Sequence, residues 1–221
     1  MTSEIIFFLL TFASLGFVTI CFYLGKSWLY VCVTCLVAVS AIISGKLITV
    51  FGFVASIGTP IYAGIFLATD ALSEFHGKSA AYRSVLMGFF TNIIIVICGL
   101  LVVQTQVMDG DIVGDALSTL FDFVPRLVLG GAIAYLLAQS LDVYIFHFIK
   151  KRLSGRHLWL RNIVSTIISQ FFDSVIVYTI AFWGIVDSLW SIILVAWCMK
   201  IFVALVDTPF IYFMRRKNTL E

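Results

Sequence analysis

Residues 162–184 read NIVSTIISQFFDSVIVYTIAFWG, a run of 23 residues in which Asp173 is the only charged side chain. About 20 mostly apolar residues in a helix cross the hydrocarbon core of a bilayer, so this run predicts a membrane-spanning helix. A charged side chain at that depth costs at least about 2.5 kcal/mol and normally faces a partner, a cavity or a transport pathway. The run therefore predicts a membrane protein with a polar site inside the bilayer.

The composition of the whole chain agrees with this prediction. Hydrophobic residues make up 62% of the 221 residues and charged residues only 12%, and the mean hydropathy is +1.10. A soluble domain of this length could not bury so much apolar surface, so lipid must be the solvent. The five cysteines lie in apolar runs and read as buried hydrophobes. Cys32 and Cys35 have C-x-x-C spacing without a second ligand pair, so neither a metal nor a cofactor is expected.

Seven apolar runs are long enough to span a bilayer, and they predict an all-α, polytopic transmembrane bundle that forms one domain over residues 1–221. The first run lacks the basic start and the cleavage pattern of a signal peptide, so we retain it as a membrane segment. The runs are Ile5 to Leu24, Trp28 to Gly45, Phe53 to Phe75, Ala81 to Gln104, Val124 to Ile149, Asn162 to Gly184 and Ser188 to Phe213.

The basic residues predict the orientation of the bundle. Seven crossings place the termini on opposite sides, and a cytoplasmic C-terminus gives the cytoplasmic side eleven Lys and Arg against two, Lys46 and Arg126, outside. The net charge of +2 is then an orientation signal and predicts no nucleic-acid partner. The eleven are Lys26, Lys78, Arg83, Lys150, Lys151, Arg152, Arg156, Arg161, Arg215, Arg216 and Lys217, whereas the longest external loop, Thr105 to Phe123, carries Asp109, Asp111, Asp115 and Asp122.

Several runs carry polar residues at helical spacing. Gln170 and Asp173 are three apart and belong to one polar stripe, and Gln139 and Asp142 repeat that spacing in the preceding run. The stripe consists of Thr166, Ser169, Gln170, Asp173 and Ser174. Gly130-Gly131 earlier in the same run as Gln139 predicts a close helix approach. We expect the two polar faces to contribute to one site.

Asp70 and Glu74 share a face at the end of the third run. Asp70 lies about 9 Å from the centre of that run, whereas Glu74 lies about 15 Å away and is expected to reach interfacial water. Gly58-Thr59-Pro60 either breaks or kinks the start of the same run or contains an ordinary tolerated proline. Asn92, near the middle of its own run, either joins the site or satisfies another helix.

Lys200 is the single cation at the centre of the last run. One interpretation is an internal ion pair with Asp173 or Asp207 that only orients helices. Against a purely structural role, one lysine cannot neutralise Asp70, Asp142 and Asp173 together. The excess carboxylates favour a ligand with several hydrogen-bond donors.

A carboxylate accepts parallel bonds from a ring N–H and an amino group, which is the edge that guanine-like heterocycles present. Lysine or glutamine can donate to the neighbouring carbonyl, and aromatic faces can hold a flat ring. The aromatic candidates within a few turns are Phe171, Phe172, Trp183 and Trp197. His76 and His147, at segment ends, are expected to be solvated structural residues.

Three stretches together resemble the queuosine precursor transporter family, which is related to the vitamin uptake transporters. The stretches are GKLITVFG (45–52) with ATDALSEFHGK (68–78), AQSLDVYIF (138–146), and the region from Ser165 through QFFDS (170–174) to AFW (181–183), followed by Lys200 and Pro209. The resemblance covers roughly Gly45 to Tyr212. Family members are commonly drawn with six segments, so Ile5 to Leu24 is an additional N-terminal helix on a six-helix core.

The resemblance implies import of 7-deazaguanines, such as preQ0, preQ1 or queuine, across a bacterial inner membrane. In that mechanism Asp173 and Asp142 accept from the ring, Gln139, Gln170 and Lys200 donate to it or hold the carboxylates, and Asp70 lines the cytoplasmic exit. Phe171, Trp197 and Asn92 complete the candidate binding residues. The expected partners are the deazapurine and the lipid bilayer, and a homodimer is left open.

Other classes of function make different predictions. A substrate-binding membrane subunit would borrow a separate ATPase module, because the chain has no Walker A pattern. An intramembrane aspartyl protease using Asp142 and Asp173 is disfavoured, since neither aspartate lies in a G-x-G-D motif. A purely structural membrane protein predicts no specific ligand.

Overall fold

The computed structural model describes residues 2–105, 108, 110–122, 125–154, 156–182 and 189–218. These residues are nearly all helical. In chain order the elements are α1 (Ser3–Leu24), α2 (Lys26–Ile43), β1 (Leu47–Val50), β2 (Phe53–Ser56), α3 (Thr59–Ala71), a π-helical turn (Leu72–His76), α4 (Lys78–Val103), α5 (Ile112–Asp122), α6 (Pro125–Arg152), α7 (Leu158–Phe182) and α8 (Leu189–Asn218).

Among the described residues, six helices are long and apolar enough to cross a membrane, namely α1, α2, α4, α6, α7 and α8. Their outer faces expose large apolar side chains, among them Leu9, Phe90 and Trp190. Lipid is the solvent that makes such a surface stable. The predicted polytopic helical bundle is therefore confirmed in its class.

The third predicted run differs from a simple spanning helix. Residues Phe53–Ser56 form β2, which pairs antiparallel with β1, and α3 begins only at Thr59. Pro60 lies in the first turn of α3, where a missing backbone N–H costs nothing. Of the two interpretations of Gly58-Thr59-Pro60, the structure shows the break, whereas the prediction of a helix from Phe53 is wrong. α3 and the π-helical turn together are about 27 Å long at 1.5 Å per residue.

The acidic connection between α4 and α6 contains α5, which the sequence interpretation left as a loop. Phe121 of α5 packs against Gly99 of α4, so closely that a Cβ on this glycine would lie 2.2 Å from the ring. Ile112 and Val113 at the start of α5 are exposed. Asp109 and Phe123 of the predicted loop lie outside the described residues.

α3 is the buried centre of the bundle, since its residues are almost all buried and it contacts α1, α2 and α8. Ser14 of α1 donates a 2.8 Å hydrogen bond to the carbonyl of Pro60, next to a close approach at Gly64. α6 packs along α7, where a Cβ on Gly130 would lie 2.8 Å from Ile180. These packings bring the polar positions of α3, α6, α7 and α8 together.

Candidate functional site

Lys200 of α8 donates a hydrogen bond to the Asp173 carboxylate of α7. Both side chains are largely buried, with 14% of Lys200 and 4% of Asp173 exposed. The Lys200 ammonium also lies 5.9 Å from the ring centroid of Tyr62 on α3, within cation–π range. One lysine thus joins three helices. The sequence suggested Asp173 or Asp207 as the ion-pair partner of Lys200, and the structure shows the pair with Asp173. The Asp207 side chain lies outside the described part of the structure.

A small cavity lies between α3, α7 and α8 beside this ion pair. Its volume is about 10 Å³, and its lining includes Gln170 and Lys200 together with Thr59, Tyr62, Ala63, Phe66, Thr166, Val203 and Ala204. About 10–15 Å³ holds a single water molecule, whereas sites for small organic ligands measure about 300 Å³ or more. The helices are therefore closed around the polar residues in this conformation.

Asp142 of α6 is the centre of a second polar layer between α6, α7 and α3. Its carboxylate accepts a 3.1 Å hydrogen bond from Ser169, and it also contacts the side chains of Ser165, Thr166 and Asp70. All five residues are buried. The carboxyl groups of Asp70 and Asp142 are thus brought into contact, which the sequence interpretation did not anticipate.

Several polar atoms of these helices are buried without a hydrogen-bond partner among the described residues. Five of them are Gln139 Nε2, Asp142 Oδ2, Thr166 Oγ1, Gln170 Oε1 and Ser174 Oγ, and others on α6 and α7 belong to Tyr135, His147 and Arg161. Gln139 does use its Oε1, which accepts from Thr69 of α3 at 3.2 Å. Protein interiors leave few such atoms unsatisfied, because each costs about 1–3 kcal/mol. Their concentration on α6 and α7 indicates a site for a polar ligand or water.

Glu74 takes a different position from the one predicted. Its side chain is only 10% exposed and bridges Arg161 of α7 at 2.6 Å and Lys150 of α6 at 2.7 Å. The expectation that Glu74 reaches interfacial water is wrong, because the fully buried Arg161 guanidinium requires a carboxylate beside it. Arg161, counted above with the cytoplasmic charges, also packs on the Phe146 ring at 5.2 Å. This group, the Glu74 cluster, ties the π-helical turn to α6 and α7.

The remaining candidates lie apart from the cavity. Phe171 and Trp197 make an edge-to-face pair at 5.3 Å, and the Trp197 indole donates to the Ile167 carbonyl at 2.9 Å. These contacts join α7 to α8, and neither ring lines the cavity. Asn92 is buried on α4 but makes no hydrogen bond with the other candidates in the described ranges. Phe172 is 47% exposed, and Trp183 lies outside the described residues.

Sequence reasoning selected Asp70 on α3 but missed three other residues of that helix. Tyr62 and Phe66 supply the aromatic walls of the cavity, and Thr69 binds Gln139. These residues are four and three apart, so they share one face of a helix. That spacing was the available signal, but it lay in a run whose helix start was predicted too early.

Comparison with known proteins finds a matching family and two named relatives. The model of the putative vitamin uptake transporter family matches residues 56–214. The probable queuosine precursor transporter of Bacillus subtilis (strain 168) is 37% identical over 170 residues, which are 76% of this chain and 74% of that protein. The queuosine precursor transporter of Escherichia coli (strain K12) is 28% identical over 166 residues, 72% of each chain. No solved structure matches the chain significantly.

Both relatives are named as transporters, so the prediction of a membrane transport protein and not an enzyme is confirmed. The matched region includes α3 and the polar parts of α6, α7 and α8. By this identity and coverage, the chain belongs to the family of queuosine precursor transporters and putative vitamin uptake transporters.

Proposed function

We propose that this chain imports queuosine precursors, 7-deazaguanines such as preQ0, preQ1 or queuine, across the bacterial inner membrane. The observation that carries the proposal is the cluster of unsatisfied polar atoms on α6 and α7 beside the Asp173 and Lys200 pair. Its donors and acceptors match the polar edge of a guanine-like ring. The names of the two relatives support the substrate class.

In the bound state, Asp142 and Asp173 accept from the ring N–H and the amino group. Gln139, Gln170 and Lys200 donate to the carbonyl or hold the carboxylates in place. Tyr62 and Phe66, which already line the cavity, flank the flat ring. Asp70 lies beside Asp142 on the path toward the Glu74 cluster.

Binding requires a movement of the helices. A cavity of about 10 Å³ cannot hold a bicyclic ring, so α3 must separate from α7 and α8 to admit substrate. Alternation between openings on the two sides, around a site near the midplane, is the usual geometry of secondary transport. In this proposal the Glu74 cluster, whose two ion pairs are formed in the described conformation, closes one end of the path.

The orientation is part of the proposal. α3 with the π-helical turn provides a seventh crossing, the N-terminus is outside, and the Glu74 cluster and the C-terminus are cytoplasmic. Single cysteines introduced by Thr2→Cys and Asn218→Cys in a cysteine-free background test it. An impermeant maleimide added to intact spheroplasts should label only the first variant. Labelling of both or of neither contradicts seven crossings.

The central test is uptake in cells that can neither synthesise queuosine nor import its precursors by another route. Expression of this chain should restore queuosine in tRNA when preQ1 is supplied, and Asp173→Asn and Lys200→Met should abolish the restoration. Lys26→Gln, which removes a lysine at a helix end, is the control and should retain it. Normal restoration by both site variants, at matched membrane levels, would exclude the binding role.

A second candidate is the membrane subunit of a vitamin-type uptake system with a separate ATPase module. The match to the putative vitamin uptake transporter family favours testing it. Purified chain in proteoliposomes distinguishes the two. Uptake without ATP or any other protein supports the stand-alone transporter, whereas dependence on a co-purified ATPase supports the second candidate.

A further inference from the structure

A basic cavity lies on the outside of the bundle, away from the substrate site. It has a volume of about 400 Å³ and is lined by Lys78, Tyr144, His147, Phe148, Lys150 and Lys151. No acidic side chain lines it in the described part of the chain. We propose that this basic cavity binds the phosphate of an anionic phospholipid headgroup, with the acyl chains running along Tyr144 and Phe148.

The charge of the lining favours an anion. Lys150 forms an ion pair with Glu74 of the neighbouring cluster. Lys78 and Lys151 form no ion pair within the described part of the chain, so their positive charges are available to an anion. Lys78 is also the first residue of α4, and the preceding Gly77 gives that helix no side-chain cap. The free N–H groups and the dipole of a helix start favour a phosphate.

The aromatic wall favours a lipid over a soluble phosphate. Tyr144 and Phe148 are stacked, with ring centroids 6.4 Å apart, and each is about half exposed on the outer face of α6. The Lys78 ammonium lies over the Tyr144 ring at 5.4 Å, which places the cation at the polar end of this apolar face. A headgroup beside the lysines would therefore leave its chains against the two rings. Basic pockets of this kind between membrane helices bind anionic headgroups.

The test uses the purified full chain in detergent and native mass spectrometry. Dioleoyl phosphatidylglycerol should bind at least about fivefold more tightly than dioleoyl phosphatidylcholine. Lys78→Gln combined with Lys151→Gln should weaken phosphatidylglycerol binding roughly tenfold or more. Lys150 is left intact, because its ammonium group is already paired with Glu74.

Two variants serve as controls. Lys78→Arg keeps the charge and should preserve the lipid preference. Lys26→Gln removes a lysine that lies over Tyr30 at 5.9 Å, a comparable cation–π contact outside the basic cavity, and should also preserve it. Equal binding of the two lipids, or an unchanged preference in the double variant, overturns the proposal. If the chain binds inorganic phosphate but does not bind phosphatidylglycerol, the cavity is a site for a soluble anion, and the lipid proposal is overturned.

Discussion

Lys200 of α8 and Asp173 of α7 form a buried ion pair whose lysine also contacts the Tyr62 ring of α3. The pair therefore lies where three helices meet, beside the closed cavity. A pair at such a junction could serve packing alone or both packing and ligand binding. The two roles predict different outcomes for single and double substitutions.

Asp173→Asn or Lys200→Met alone should lower the free energy of unfolding by about 3–5 kcal/mol, because each leaves a buried charge without its partner. The double variant should recover most of that loss. All three should fail to transport if the pair also binds substrate. Thermal unfolding in detergent and substrate uptake are the two measurements, and a stable double variant that transports normally would show a structural pair only.

Substitutions in the Glu74 cluster should have unequal effects. Glu74→Gln should destabilise the protein by about 3–5 kcal/mol, because the fully buried Arg161 loses its carboxylate. Lys150→Gln should cost only about 0–1 kcal/mol, because that side chain is 30% exposed and its ion pair is partly screened. Equal losses in thermal unfolding would show that Lys150, and not Arg161, dominates the cluster.

Asp142→Asn should preserve the fold and weaken substrate binding. An asparagine still accepts the hydrogen bond from Ser169, but it lacks the charge that strengthens bonds from the ring donors. The expected loss of affinity for preQ1 is about 10- to 100-fold, from about 1.5–3 kcal/mol per bond to a charged group. Isothermal titration measures it, with Ser169→Ala as a control for the polar layer. An unchanged affinity in Asp142→Asn would remove this aspartate from the site.

A substitution at Gly88 tests how closely α4 packs against α6. A Cβ at this position would lie 2.1 Å from the Tyr135 hydroxyl oxygen, so Gly88→Ala should destabilise by about 1–3 kcal/mol. Gly16→Ala is the matched control, because a Cβ on that helical glycine meets nothing within 4 Å. The control should be neutral or stabilising by up to about 1 kcal/mol. Thermal unfolding that ranks the two variants in the opposite order would contradict this packing.

The charged residues of the site could be selected from the sequence, whereas the aromatic residues that line the cavity beside them could not. Asp173 and Lys200 could be selected because a charge in an apolar run is conspicuous wherever it lies. Tyr62 and Phe66 could not be selected in the same way, since apolar and aromatic residues occur throughout the run. Their role follows from the position of α3 at the centre of the bundle.

The sequence by itself determined the class of this protein, the approximate extent of six spans and the charged residues that lie within apolar runs, because hydrophobic length and the cost of burying a charge are local properties of the chain. Only the tertiary structure decided that Phe53–Ser56 joins a hairpin, that Glu74 pairs with Arg161, and that Asp70 meets Asp142. The two side-chain contacts join residues distant in sequence, whereas the hairpin pairs two neighbouring strands inside an apolar run that favoured a helix. The spacing along one helix shows which side chains share a face, but the packing of the helices decides what that face meets.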